Sequence, residues 1–132
     1  MLSFEQFTAF AQQGYNRIPL ALELLADLDT PLSVYCKLAN RPYSYLFESV
    51  HGGERWGRYS IIGLSSQQRL EVRDHTVRIY QDDALLSEDQ SADPLAFIED
   101  YQAQFRVPEV EGLPRFTGGL VGYFAYDSVR LF

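Results

Sequence analysis

The sequence predicts an α+β fold: an antiparallel β-sheet, part of a larger β-sandwich, with two to three peripheral helices. Three observations carry that prediction. Helix-start signals stand at Ser3, at Thr30-Pro31 and at Asp93-Pro94. Between the second and third of these, apolar and polar residues alternate with the period of two that marks half-buried strands. The 132 residues are 46% hydrophobic, 14% aromatic and 22% charged, an ordinary globular mixture that excludes the disordered, collagenous and coiled-coil classes. The length is that of one domain.

The elements follow in order. Ser3 precedes an apolar-periodic stretch and Gln6 stands at capping-box spacing from it. Phe4, Phe7, Phe10 and Ala11 share one face, so Ser3–Gln13 reads as a short amphipathic helix that ends at Gly14. Arg17–Leu25 is apolar and reads as a strand, and Ala26–Asp29 as a turn. Thr30 is a natural N-cap and Pro31 suits the first helical position. That helix runs to about Ala39, with Val34, Tyr35 and Leu38 inward, and Asn40-Arg41-Pro42 breaks it.

Tyr43–Val50 and Tyr59–Leu64 read as strands. Arg69–Arg73 and Val77–Gln81 alternate on either side of Asp74-His75, which makes them a hairpin, and Ala84–Ser87 extends the meander. Ser87–Asp93 is acidic and reads as a surface loop. Asp93-Pro94 opens a helix to about Phe105, with Leu95, Ile98, Tyr101 and Phe105 on one side. Pro108–Pro114 is irregular, and the glycine-rich, aromatic Phe116–Asp127 reads as a close-packed strand. No internal repeat or low-complexity tract interrupts this order. The finish at Leu131-Phe132, two bulky apolar residues without a polar tail, points to a fragment of a longer protein.

Charge narrows the function classes. Eleven basic residues stand against eighteen acidic ones, a net charge of −7, which argues against a nucleic-acid or anionic-membrane surface. No apolar run approaches the ~18–20 residues of a membrane span. The N-terminus lacks a secretory signal, and the single cysteine, Cys36, cannot form an internal disulfide. A cytoplasmic location is the expectation. Ten of the eleven cations are arginine. Arginine is the better planar fork for carboxylates, but a compositionally biased genome produces the same skew.

The chain lacks the H-x-x-x-H, C-x-x-C, G-x-S-x-G and Walker patterns. His75 sits in a turn, and His51 is a lone histidine beside Gly52-Gly53. No catalytic, substrate-binding or metal-ligating residue is assigned, and the chain alone does not read as a complete enzyme.

Two segments ask for more. Glu48 and Ser49 close an apolar strand where a sheet face prefers Val or Ile. A carboxylate and a hydroxyl there can receive an ammonium group and hydrogen-bond a polar end. Gly52-Gly53 permits close backbone approach, and Arg58 is a cation suited to a carboxylate. One reading is a unit that holds a zwitterionic amino acid. The other is a hairpin whose glycines serve the turn and whose Arg58 pairs with Glu48 or Glu54. Both stay open on the residues alone. In Pro114–Asp127, three glycines lie within five residues. A phosphate loop would want a following lysine, so close strand packing is the better account.

Three stretches carry a family resemblance: Pro31-Leu32-Ser33-Val34-Tyr35-Cys36-Lys37-Leu38, then Glu48-Ser49-Val50-His51-Gly52-Gly53-Glu54-Arg55-Trp56-Gly57-Arg58-Tyr59-Ser60-Ile61-Ile62-Gly63, and Phe116-Thr117-Gly118-Gly119-Leu120-Val121-Gly122-Tyr123-Phe124-Ala125-Tyr126-Asp127-Ser128-Val129-Arg130. In order and spacing they resemble the N-terminal region of the component I chains of anthranilate synthase. The resemblance covers nearly the whole chain and is least diagnostic over Asp82–Gly112.

It implies that 1–132 is the N-terminal regulatory region of such a chain. The family converts chorismate and ammonia to anthranilate and pyruvate in tryptophan biosynthesis. A glutamine amidotransferase, component II, supplies the ammonia, and Mg²⁺ assists at chorismate. The catalytic and metal-binding residues belong to a C-terminal chorismate-binding region that is absent here. Feedback inhibition by L-tryptophan uses a Leu-Glu-Ser-type element, which Phe47-Glu48-Ser49 matches with Phe in place of the commoner Leu. A basic residue further on contributes in some members, and Arg58 is the candidate. Two other readings are aminodeoxychorismate synthase component I, a folate-pathway enzyme of similar fold, and a stand-alone amino-acid-binding module. The Gly52–Ser60 run favours anthranilate synthase over the first.

Overall fold

The protein is seen in a computed structural model that describes residues 2–48 and 59–131. Helix α1 spans Phe4–Gln12 and α2 spans Pro31–Leu38. Five strands follow: β1 Tyr45–Glu48, β2 Ser60–Gly63, β3 Gln68–Arg73, β4 Thr76–Gln81 and β5 Ala84–Gln90. Helix α3 covers Pro94–Ala103, and a 3₁₀ helix covers Tyr126–Leu131. This is the expected α+β class, with two small antiparallel sheets ordered β1-β2 and β3-β4-β5.

All three helices begin where local chemistry says they should. Ser3 and Gln6 form a reciprocal capping box, Ser3 N–H donating to Gln6 Oε1 at 2.9 Å and Gln6 N–H to Ser3 Oγ at 3.2 Å. Thr30 and Ser33 repeat that arrangement at α2. The Asp93 carboxylate accepts from the N–H groups of Leu95 and Ala96, both at 3.0 Å. Each cap satisfies backbone donors that a helix start otherwise leaves free.

The chain divides into two units. One comprises Met1–Glu23, Val72–Val77 and Asp89–Phe132. In it Asn16 ties the segment after α1 to the end of α3. Its Nδ2 donates to the Gln104 carbonyl at 2.7 Å, and its Oδ1 accepts from the Arg106 N–H at 2.8 Å. Arg17 stacks over the Phe105 ring at 4.8 Å, and Tyr101 meets Phe105 edge to face. Leu95, Ile98, Tyr101 and Phe105 are all partly covered, as the α3 periodicity requires.

The other unit comprises Leu24–Glu71 and Arg78–Glu88. Here α2 packs on β2, and the Tyr35 hydroxyl lies 3.2 Å from Ser44 Oγ. Ala39 is fully buried. Val34 and Tyr35 are partly covered, but Leu38 is 65% exposed. The helix is two turns long, and its inward stripe stops short of that position.

Two-residue turns connect the meander. Asp82 and Asp83 both take positive φ, 48° and 65°, the pairing that matches strand twist in a tight hairpin. Asp74 has φ 53° in the other turn. Strand β5 runs on to Gln90, through residues expected to be a loop. Arg78 Nε pairs with Glu88 Oε2, and Gln90 Nε2 donates to Thr76 Oγ1 at 2.9 Å. Cross-strand polar pairs therefore hold an acidic stretch that has little hydrophobic pattern of its own.

Two expected strands are absent. Residues 17–26 carry no regular secondary structure, and neither do 116–125. A strand exists only with a hydrogen-bonded neighbour, and neither segment has one among the described residues. Gly118 and Gly119 also adopt φ of 146° and 138°, values a side chain rarely permits.

Candidate functional site

The resemblance directs attention to the end of β1. Strand β1 pairs antiparallel with β2 in the register Tyr45↔Gly63, Leu46↔Ile62, Phe47↔Ile61 and Glu48↔Ser60. Side chains directly opposite each other share a face. Tyr45, Phe47 and Ile61 therefore lie on one face, and Leu46, Ile62, Ser60 and Glu48 on the other.

On the first face the rings of Tyr45 and Phe47 are 4.8 Å apart between centroids. Gly63 makes room for them: a Cβ there would run into the Tyr45 ring. Phe47 remains 49% exposed, so an aromatic surface is open beside the strand end. On the second face Glu48 is exposed next to a small hydroxyl residue. The structure thus places two of the four sequence-predicted residues, Phe47 and Glu48, as neighbours on opposite faces. Ser49 and Arg58 lie outside the described residues, as do His51 and Gly52-Gly53.

A second feature was not singled out by the sequence reading. An open groove of about 410 Å³ lies between residues 41–43, 65–67 and the Asp82-Asp83 turn, with Arg69 in its wall. The Arg69 guanidinium donates from Nε to Glu71 Oε1 at 2.8 Å and from Nη1 to Asp83 Oδ1 at 2.9 Å. It also lies over the Tyr43 ring at 4.5 Å and the Tyr80 ring at 4.2 Å. The hydrogen bond to Asp83, helped by Glu71, holds the Arg69 pKa above its usual range.

Tyr43 takes φ 60°, a conformation uncommon for a bulky residue. Its carbonyl accepts from the Ser66 N–H at 3.1 Å, and Ser65 Oγ donates to the Pro42 carbonyl at 2.7 Å. Arg69 is thus an internal clamp that fastens the 41–43 turn to the meander, with its donors directed at protein carboxylates. The only sequence signal was the spacing of Arg69 and Glu71 on one strand face, which also fits an ordinary surface pair.

Fold and site together define a small mixed α+β chain with an open aromatic and acidic strand end. By sequence it is similar to an N-terminal portion of chains named anthranilate synthase component 1. It is 61% identical over 126 residues to anthranilate synthase component 1 of Pseudomonas aeruginosa, covering 96% of this chain and 26% of that one. It is 56% identical over 132 residues to that of Neisseria meningitidis serogroup B, covering 100% and 27%. The protein of the same name from Aquifex aeolicus is 42% identical over 132 residues, covering 99% and 26%. The chain therefore spans about a quarter of the length of the curated relatives it matches. No family model and no solved structure matches it. No helix among the described residues is long and apolar enough to cross a membrane.

Proposed function

We propose that this chain is the N-terminal regulatory region of an anthranilate synthase component I. The observation that carries the reading is 61% identity to the Pseudomonas aeruginosa protein across nearly the whole chain. In this reading the complete cytoplasmic protein converts chorismate and ammonia to anthranilate and pyruvate in tryptophan biosynthesis. A glutamine amidotransferase partner, component II, supplies the ammonia. The chorismate-binding region lies C-terminal to residue 132, and the two sheets described here belong to a larger β-sandwich completed with it. The isolated chain has no catalytic activity.

Mg²⁺ supplies charge neutralisation at chorismate in that other region. Among the described residues no group of three His, Cys, Asp or Glu comes together to hold a metal ion.

The regulatory site for L-tryptophan is built on Phe47, Glu48, Ser49 and Arg58. Glu48 receives the ligand ammonium, Ser49 hydrogen-bonds its polar end, Arg58 meets its carboxylate, and Phe47 with Tyr45 offers an aromatic wall to the indole. Because Phe47 and Glu48 face opposite ways, a ligand that uses both lies across the end of β1 rather than on one face. Inhibition is then a population shift: tryptophan acts only by binding the inactive arrangement more tightly than the active one.

The test takes the reading frame that contains this chain, extended past Phe132, with chorismate, Mg²⁺ and ammonia. Anthranilate fluorescence is followed with and without L-tryptophan. Anthranilate production that tryptophan suppresses is expected, and Ser49→Phe should raise the tryptophan concentration needed for half-inhibition. Chorismate consumed without anthranilate would indicate aminodeoxychorismate synthesis instead. A frame that stops at Phe132 and turns nothing over would leave an amino-acid-binding module. Unchanged tryptophan sensitivity in Ser49→Phe would remove the proposed regulatory site.

A further inference from the structure

We infer that residues 18–25 are a β-strand in the full-length protein, paired with a strand contributed by the chain beyond residue 132. This rests on the reading of the chain as part of a longer component I. Four observations meet on the segment.

Ile18, Leu20, Leu22 and Leu24 recur at every second position, the period of a strand face. Ile18 is partly covered, but the three leucines are 72%, 66% and 74% exposed, so most of that face is open. Among the described residues the backbone of 18–25 makes no hydrogen bond. The nearest are Arg17 N–H to the Arg106 carbonyl on one side and Asp29 N–H to the Ala26 carbonyl on the other. An apolar depression of about 330 Å³, lined by Leu2, Leu20, Ala21 and Leu22, lies along the same stretch.

A segment outside regular structure, with unpaired backbone groups among the described residues and an alternating apolar face, is what strand addition can use. The relatives are about four times as long as this chain, so a partner strand has ample sequence to come from. A partner in the same chain also acts at high effective concentration, which a second copy of the molecule does not. Pro19 has no N–H to give, so the ladder begins after it. Glu23 is the one charged residue of 18–25 and falls at an odd position with Leu25, opposite Leu20, Leu22 and Leu24, where it can stay in water.

Amide hydrogen exchange tests the inference on the full reading frame and on the 132-residue chain. The expected result is amides at 20–24 that exchange on the order of a hundredfold more slowly in the full-length protein. In the 132-residue chain they should exchange fast at every protein concentration. Fast exchange in both proteins would overturn the pairing. If tryptophan-sensitive anthranilate production were still seen, the functional reading would survive that failure. Slow exchange in the 132-residue chain that fades on dilution would assign the edge to a second copy, which also overturns the inference. Leu22→Pro supplies a second readout: it removes a ladder donor, so neighbouring amides should lose protection in the full-length protein and change little in the short chain.

Discussion

Arg69 shows how much one side chain can organise at the surface. It is held by two carboxylates and flanked by two rings, and one of those rings belongs to a residue in a backbone conformation that few bulky residues adopt. Removing the guanidinium would leave Glu71 and Asp83 facing each other without their shared cation and would free the Tyr43 ring. Arg69→Ala should lower the thermal midpoint and loosen the 41–43 turn, read as lost protection of the Ser66 amide. Arg69→Lys should rescue only part of this, because a point charge cannot satisfy two carboxylates and stack on two rings at once. Equal midpoints for Arg69→Ala and the parent would show that the clamp contributes nothing. Nothing in the linear order of residues pairs Arg69 with Tyr43 and Tyr80. Their meeting depends on the hairpin and the turn both being formed, which is why the sequence reading passed over it.

The elements that the sequence predicted best are the ones that need no partner. Capping residues bind backbone groups two or three positions away, so Ser3, Thr30 and Asp93 set helix starts by local chemistry alone. The start of α2 carries a further device. Asp29 Oδ1 accepts from Ser33 Oγ at 2.7 Å and pairs with Lys37 one turn beyond. The Lys37 hydrogen bond, then that of Ser33, lowers the Asp29 pKa below its usual 3.8. A depressed folded-state pKa gives stability that is present above the unfolded value and is lost as pH falls through the folded one. The contribution of Asp29 to the first turn of α2 should therefore be fully present above its ordinary pKa and fall away as pH drops through the lower folded-state value, while the Thr30–Ser33 capping box remains. An NMR titration should place the Asp29 midpoint under 3.8 and show the Ser33 and Val34 amides following it. In Asp29→Asn that acid transition should disappear from those amides, and a midpoint at or above 3.8 in the parent would exclude the linkage. Strands behaved differently. The hairpin around Asp74-His75 was legible because its partner is its immediate neighbour in sequence, whereas the apolar 17–25 and the glycine-rich, aromatic 116–127 form no strand among the described residues.

At the scale of the molecule, the balance between covered and open apolar surface is unusual. Among the described residues Ala39, Val77 and Pro94 are fully buried, while leucines at 20, 22, 24, 25 and 28 and aromatics at 123, 124 and 126 are largely open. Exposed apolar side chains in this number favour association. The isolated chain should sediment as a concentration-dependent mixture of monomer and larger species, shifting toward monomer in mild denaturant or on dilution. A sharp, concentration-independent monomer boundary would contradict this. In the longer protein proposed above, those residues should be buried and that behaviour lost.

The sequence by itself determined the α+β class, the three helix starts, the central hairpin and, through its long matching runs, the chains it resembles. Each of these is written in residues that act on near neighbours or that can be matched one by one. Only the tertiary structure decided that Phe47 and Glu48 face opposite sides of β1, that Arg69 ties a turn to the meander, and that 17–25 has no partner strand among the described residues. The reason is physical: facing, clamping and strand pairing depend on which distant backbone lies alongside, and period-two alternation states a readiness to pair without naming the partner.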